Sequence, residues 1–526
     1  MSFQQSYDVA IVGGGHNGLA AACYLAAEGC KVIVVEAQPK LGGMASSGYL
    51  IPEAPRHLVH PCALDLMSLR AHPMMPSELQ LERHGFRQIE IHPGYVYLHP
   101  DGSSLVFGRS AEQTAAEIRR FSERDAAEFI ALMKLVDTFI DIAIPMMRAD
   151  PTQKNLGAKW NALKVLLKNR HLKADMTGLI GSPAYTSIVE RFEHPVTVSA
   201  LCCLLGAAGP ITGEATGIYF ALLGFIQRFG IGRVVGGMQK LPDALAARLA
   251  ELGGETRVNS PVTEILVKEG CVQGLRLGDG STIAARCVIA AVHPSVALKM
   301  VTPGEIERRL LVRAELAPTN AHGGAPMKVD VALRGQVRAT RHEAQRPDGL
   351  SLRQSVLLIG TAEAVLDNFK CAARGQVSKQ PYLWATVPSA VDLTQAPPGE
   401  DIVYLYPVAM PVDPSDGWDA IRDEVTQQVI DQADEYLPGI KALEIGRRME
   451  VAPDFAARLN VPKGCVVHID TSATRASTMR PAYGLGGATL PVKGLFLGGA
   501  GIHPGGGVNG LPGRIAAGRA RRYLGT

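Results

Sequence analysis

The spacing of apolar positions changes character several times along this chain. Residues 7–12 (YDVAIV) form a short, β-branched, apolar run, the pattern of a parallel strand buried on both faces. A glycine-rich turn follows, then LAAACYLAAEG, a helix whose small residues permit close packing, then KVIVVE, a second buried strand. Together they predict a βαβ unit of about 30 residues. From about Leu58 to Phe229 the period is mostly helical, as in SAEQTAAEIRRFSERDAAEFIALMKLVDTFIDIAIPMMR. Within that region IEIHPGYVYLHPDGSSLVF predicts a hairpin with HPDG at its turn. Residues 236–250 predict a loop and helix, and VTEILVKEGCVQGLRLGDGSTIAARCVIAAV predicts a meander of three or four short strands. The stretch 325–412 is strand-rich, 416–438 is helical, and the last 33 residues return to strand, glycine loop and helix. No internal repeat or heptad array interrupts this order.

Composition narrows the class. With 526 residues, 47% of them hydrophobic and 20% charged, the chain is neither a coiled coil nor disordered, and it can bury a large core without staples. Its 56 glycines and 34 prolines predict many tight loops. A net charge of +3, with no compact Lys/Arg block carrying interleaved aromatics, argues against a nucleic-acid partner. Nine cysteines, an odd number without a CxxC pair, argue against a disulfide framework or zinc site and for a reducing, cytoplasmic compartment. The opening residues MSFQQSYDVAIVGGGHNG lack a charged region before an apolar run, so no signal peptide is expected. The most apolar stretch, Val196 to Phe229, is broken by Gly209-Pro210 and Glu214 into pieces shorter than the roughly 20 residues of a spanning helix. It predicts buried or membrane-dipping helices, and peripheral membrane contact stays open.

Three motifs carry chemistry. In Gly13-Gly14-Gly15-His16-Asn17-Gly18, Gly13 permits the tight turn, Gly15 lets a pyrophosphate approach the backbone, and Gly18 lets helix and strand pack closely. The helix N-terminus behind them supplies N–H donors and the positive end of a dipole. Glu36 ends the second strand, where a carboxylate accepts both ribose hydroxyls and repels a 2′-phosphate. Directly after it, Lys40-Leu41-Gly42-Gly43-Met44 has the glycine pair by which flavoproteins let a loop cross the pyrophosphate. At the far end, Gly498-Gly499-Ala500-Gly501-Ile502-His503-Pro504-Gly505-Gly506-Gly507-Val508-Asn509-Gly510 follows a buried strand and opens a helix; glycines this dense suggest backbone approaching a flat cofactor.

These motifs, in this order, resemble the FAD-dependent phytoene dehydrogenase-like branch of the flavin amine oxidase superfamily. GGGHNGLAAACYLAAEGCKVIVVEAQPKLGG looks like its dinucleotide signature, GLFLGGAGIHPGGGVNG like its C-terminal flavin signature, and GGMQKLPDALAARL with the meander like its second FAD segment. The resemblance spans the chain and implies an α/β fold: a Rossmann-type FAD-binding domain from residues 1–57, 232–300 and 460–526, interleaved with an α+β substrate domain from 58–231 and 301–459. It implies that Gly13, Gly15 and Gly18 surround the pyrophosphate, that Glu36 holds the adenosine ribose, and that Gly42 and Gly43 lie along the flavin edge. Val262 would meet adenine through its backbone, and Gly499, Gly501, His503, Pro504, Gly505, Gly506, Gly507, Val508 and Asn509 would cradle the isoalloxazine ring and ribityl chain. Many relatives read R-x-G-G-R around the glycine pair. Here Lys40 and Met44 stand at those places, so phosphate clamping there is weaker or supplied elsewhere.

The implied reaction is hydride transfer from a substrate C–H to flavin N5, forming C=C or C=N, with oxygen or a quinone as final acceptor and a hydrophobic small molecule as substrate. A flavin-dependent isomerase or saturase, and a flavoprotein with structural FAD acting through a partner, are the alternatives. Lys328, in the strand PMKVDVAL, resembles the lysine that amine oxidases place near N5; a strand-end lysine in solvent is the other reading. His503 is the second catalytic candidate, as a residue that orients the ring or loop. His57-x-x-His60 with Cys62 lacks a third ligand at helical spacing, so no metal is expected. The Val196–Phe229 helices either line a pocket or form ordinary core.

Overall fold

The computed structural model describes residues 6–487 and 490–525, so residues 1–5, 488, 489 and 526 of the two outer segments expected to bind FAD lie outside the described residues. Two seven-stranded sheets organise the molecule. In the first, the strand Ser6–Val12 runs parallel to Val32–Val35 on one side and to Thr282–Ala290 on the other. Glu255–Arg257 extends the sheet beyond Val32–Val35, and Leu495–Leu497 joins Thr282–Ala290 in parallel. The meander Val262–Lys268, Cys271–Leu277 and Thr282–Ala290 is antiparallel and continues into that parallel centre. Strand residues here are almost continuously buried, as expected where both faces are covered.

One face is covered by three helices, His16–Ala27, Lys240–Glu251 and Leu511–Leu524. Their contacts are backbone-close. A Cβ on Gly513 would lie 2.0 Å from the Asn17 carbonyl oxygen, so the last helix can touch the first only with glycine there.

The second sheet orders its strands Glu444–Glu450, Lys328–Leu333, Asp401–Pro407, Leu383–Thr386, Val356–Ile359, Tyr95–Leu98 and Ser104–Phe107. The helix Trp418–Tyr436 packs on it within one apolar cluster. Of the anticipated hairpin, Tyr95–Leu98 and Ser104–Phe107 pair around HPDG. The preceding Gln88–Ile91 instead pairs with Ile231–Val234, because Pro93 has no N–H and breaks the ladder before Tyr95.

The helical layer includes Ala111–Arg119, Glu123–Arg148 and Leu156–Lys168. The first two start at serine caps: Ser110 accepts from the Gln113 N–H at 3.2 Å and Ser122 from the Asp125 N–H at 3.1 Å. The apolar stretch Val196–Phe229 resolves into Pro195–Leu205 and Ala221–Phe229 joined by short 3-10 turns. It lies in the largest apolar cluster, packed against the helices Ala362–Ala372 and Glu123–Arg148. Among the described residues, no helix is long and apolar enough to cross a membrane.

Candidate active site

A cavity of about 700 Å³ runs between the two sheets, within the range of small-molecule and cofactor sites. Its first wall is the turn after Ser6–Val12. Gly13 has φ +100°, donates its N–H to the Val35 carbonyl at 2.9 Å, and lines the cavity. A Cβ on Gly18 would sit 2.1 Å from the Gly13 oxygen, so this glycine locks helix to strand and does not face the cavity. Gly15 differs: the nearest atom to its missing Cβ is the Gly42 oxygen at 4.0 Å, leaving an open cradle at the start of the helix His16–Ala27. The first-turn N–H groups of that helix have no partner within it, which is the donor set an anionic group needs.

Glu36 lines the same wall. One carboxylate oxygen accepts the Gly14 N–H at 2.7 Å and the other the Gln38 N–H at 2.9 Å. Each oxygen keeps a lone pair for a hydroxyl. The loop with Gly42 and Gly43 crosses beside Gly15 and is clasped by Gln239, whose Nε2 donates to the Leu41 carbonyl at 3.0 Å. Gly43 and Lys40 face the cavity, whereas Gly42 (φ +127°) is buried with Ala45 and Pro242 against its missing Cβ. Met44, which follows the glycine pair, lines the cavity and packs on the Cys62–Phe455–Val461 cluster. Arg448 and Arg458 line the cavity too, both hydrogen-bonded to Glu450. Pro261 and Val262 close the Glu36 end.

The C-terminal glycine loop is placed differently from the expectation. Ala500, Gly507 and Val508 line the cavity, but Gly499, Gly501, Pro504, Gly505, Gly506 and Asn509 do not. At three of the glycines the lack of a side chain serves close packing: a Cβ would meet the Ala291 oxygen at 3.0 Å from Gly499, Pro294 at 2.4 Å from Gly501, and Val467 at 2.8 Å from Gly506. Asn509 accepts the Leu511 N–H at 2.8 Å and so starts the last helix. His503 is turned away, its Nε2 3.1 Å from the Met146 carbonyl of the long helix Glu123–Arg148. It clamps the loop to the helical layer, and burial pushes its pKa down. Arg480 knits the same region, donating to the Ile469 carbonyl at 2.8 Å and the Ala500 carbonyl at 3.1 Å.

Three histidines of the cavity wall, His16, His293 and His468, are held neutral by burial, with pKa values lowered to about 4, 4 and 3. His293 Nε2 meets the His468 carbonyl at 3.0 Å. His16 Nε2 and His468 Nδ1 are buried without a hydrogen-bond partner. Unpaired buried polar atoms beside an open glycine cradle and an acidic strand end fit a polar heterocycle joined to a dinucleotide.

The opposite wall is the second sheet. Trp384 and Thr386 face Tyr406 and Tyr404 across the register of Leu383–Thr386 and Asp401–Pro407, and all four line the cavity. The two tyrosine rings stack at 6.1 Å and 17°, and the Tyr404 hydroxyl donates to the Cys62 carbonyl at 2.8 Å. Behind Thr386, the fully buried Arg233 donates to Thr386 Oγ1 at 2.6 Å and to Asp65 at 3.1 Å.

Lys328 sits beneath this floor and is fully buried, not in solvent. Its Nζ is 3.5 Å from the Tyr404 ring centroid and bonds Asp330. Burial lowers its pKa to about 8 despite the opposing Asp330, whose own carboxyl is raised by burial. It touches the cavity through Tyr404. His57 faces Glu400 at 3.1 Å, and His60 bonds Gln395 at 2.9 Å. The Val196–Phe229 helices do not line the cavity, because both are consumed in the helical core.

Trp384, Thr386, Tyr404, Tyr406, Arg448 and His468 escape the sequence reading. A usable trace existed in the i, i+2 pairs of YLWATVP and DIVYLYP, which put Trp384 with Thr386 and Tyr404 with Tyr406 on one face.

The family described as flavin containing amine oxidoreductase matches residues 18–517. Pyridine nucleotide-disulfide oxidoreductase domain-containing protein 2 of Mus musculus is 28% identical over 548 residues, covering 97% of this chain and 92% of its own. Phytoene desaturase (neurosporene-forming) of Cereibacter sphaeroides is 26% identical over 533 residues, covering 96% and 92%. Wild-type putrescine oxidase bound to putrescine has the same fold, with a TM-score of 0.62 at 16% identity and 99% of each chain covered.

Proposed function

We propose, on the premise that this chain belongs to the flavin containing amine oxidoreductase family, that the cavity takes FAD at its Gly15–Glu36 wall and a hydrophobic small metabolite against Trp384, Tyr404 and Tyr406. The chain is an FAD-dependent oxidoreductase of the phytoene dehydrogenase-like branch, forming C=C or C=N from a substrate C–H. The observation that carries the substrate reading is the apolar, aromatic wall facing the glycine cradle across one continuous cavity.

Gly13 and Gly15 take the pyrophosphate, with Glu36 on the ribose and Val262 near adenine. Lys40 with Arg448 or Arg458 supplies cationic charge where the glycine-pair loop carries Met44. FAD, when bound, supplies the hydride acceptor. The chain's own residues position the substrate and exclude water: Tyr404, tied to Cys62, holds the aromatic floor rigid, and Lys328 beneath it holds or releases a proton at Nζ. His503 acts as a positioning residue through Met146. Residues 1–57, 232–300 and 460–526 form the FAD domain, with 58–231 and 301–459 as the substrate domain. Oxygen or a quinone is the acceptor, and the compartment is reducing and cytoplasmic.

Anaerobic mixing of the purified protein with a panel of apolar alkenes, amines and saturated analogues tests this. Bleaching of the visible flavin band by an apolar substrate is expected. Product formed without bleaching would replace the reading by a non-redox isomerase or saturase, and a colourless protein would overturn it.

A further inference from the structure

The helix Leu156–Lys168 has no fully buried residue, yet it is rich in large apolar side chains. Leu156, Trp160, Leu163 and Leu167 are 73%, 58%, 44% and 62% exposed. At 100° per residue these four fall within about 60° of arc, one continuous stripe. The opposite face is spent on the protein. Asn161 Nδ2 donates to the Asp141 carbonyl at 3.1 Å, and Ala158, Ala162, Val165 and Leu166 are half-buried where the helix packs on Glu123–Arg148. The apolar stripe therefore points outward.

Charge decides what covers it. On the helix, Lys159 borders one side of the stripe and Lys164 and Lys168 the other; Lys154, Arg170 and Lys173 extend the set. Residues 151–174 hold these six cations and no aspartate or glutamate. Lys164 Nζ lies 5.5 Å from the Trp160 ring centroid, so its aliphatic stem runs along the stripe while its charge stays at the rim. A 13-residue helix is too short to cross a bilayer. An aromatic and leucine stripe bordered by lysines is the pattern of a helix lying in the headgroup plane.

We propose that Leu156–Lys168 docks this protein on an anionic lipid surface, its stripe inserted at the acyl boundary and its lysines on the headgroups. A second copy fits less well, since stripe-to-stripe pairing would bring two sets of six cations together. The inference rests on this helix alone and is independent of the substrate reading.

The test uses the full FAD-loaded protein with vesicles of phosphatidylcholine and of equal parts phosphatidylcholine and phosphatidylglycerol. Sedimentation with the anionic vesicles only is expected, reversed by high salt. Emission should shift blue on binding, and that shift should be absent in Trp160→Phe. The Lys159→Gln/Lys164→Gln/Lys168→Gln variant should partition about a hundredfold more weakly, and Leu163→Glu/Leu167→Glu should not sediment. Unchanged flavin content and melting temperature in both variants show that the fold is intact. Wild-type partitioning of both variants overturns the proposal, as does absence of vesicle binding. A mass that doubles with concentration and returns to monomer in Leu163→Glu would assign the stripe to a second copy.

Discussion

Glu36 anchors its own turn. Its carboxylate holds the Gly14 and Gln38 N–H groups at 2.7 and 2.9 Å, so the acid shapes the turn before any ribose arrives. Glu36→Arg removes those acceptors and adds like charge beside the helix dipole. FAD affinity should fall about 10- to 100-fold, measured by titrating apoprotein and following flavin fluorescence; unchanged affinity removes Glu36 from the ribose site. Lys328 makes a second prediction. With its pKa lowered to about 8, the ammonium is charged below that pH and the free amine dominates above it. Proton acceptance by Nζ therefore predicts a flavin-reduction rate that rises through about pH 8 and then levels. Lys328→Met should keep FAD, slow reduction and remove that rise in stopped-flow measurements, and an unaltered pH profile counts against the role. The buried state of Lys328 was not legible in KVDVAL, where alternation fixes two faces but not which is covered. Only register with Asp401–Pro407 and Glu444–Glu450 reveals that.

At the scale of elements, the first βαβ unit, the meander and the strand–glycine loop–helix ending were all legible, because short apolar runs bounded by glycine have few alternative packings. The glycine run 498–510 was legible as backbone approaching a flat cofactor, but the protein segments on which several of its glycines pack were not. Gly499, Gly501 and Gly506 face Ala291, Pro294 and Val467, segments about 40 to 210 residues away. The lysines of Leu156–Lys168 were invisible as a patch for a related reason: spaced four and five residues apart they form no block, and only the helix gathers them. Gly513 tests the helix–helix contact directly. Gly513→Ala puts a Cβ 2.0 Å from the Asn17 oxygen and must push the last helix off the first. A loss of about 1–3 kcal/mol is expected, seen as a lower melting temperature with earlier flavin release; wild-type melting would mean the contact yields freely.

In the whole molecule, the cavity belongs to neither sheet alone. One wall comes from the turns of the first sheet and the other from the strands of the second. A ligand bound in this seam stabilises both by mass action. FAD added to apoprotein at about 100 times its dissociation constant should contribute about 2.7 kcal/mol, raising a single melting transition monitored by calorimetry. Two transitions, of which FAD moves one, would show that the halves unfold independently.

The parallel centre of the first sheet also sets a timetable for synthesis. Ser6–Val12 emerges first, yet Thr282–Ala290 follows hundreds of residues later and Leu495–Leu497 some two hundred residues after that. At about 5–20 residues per second, the nascent βαβ unit waits roughly half a minute to a minute and a half for its last neighbour. During that wait its apolar strand edges are open to other chains. Recombinant yield should therefore depend more on chaperone capacity and flavin supply during expression than on the stability of the finished protein.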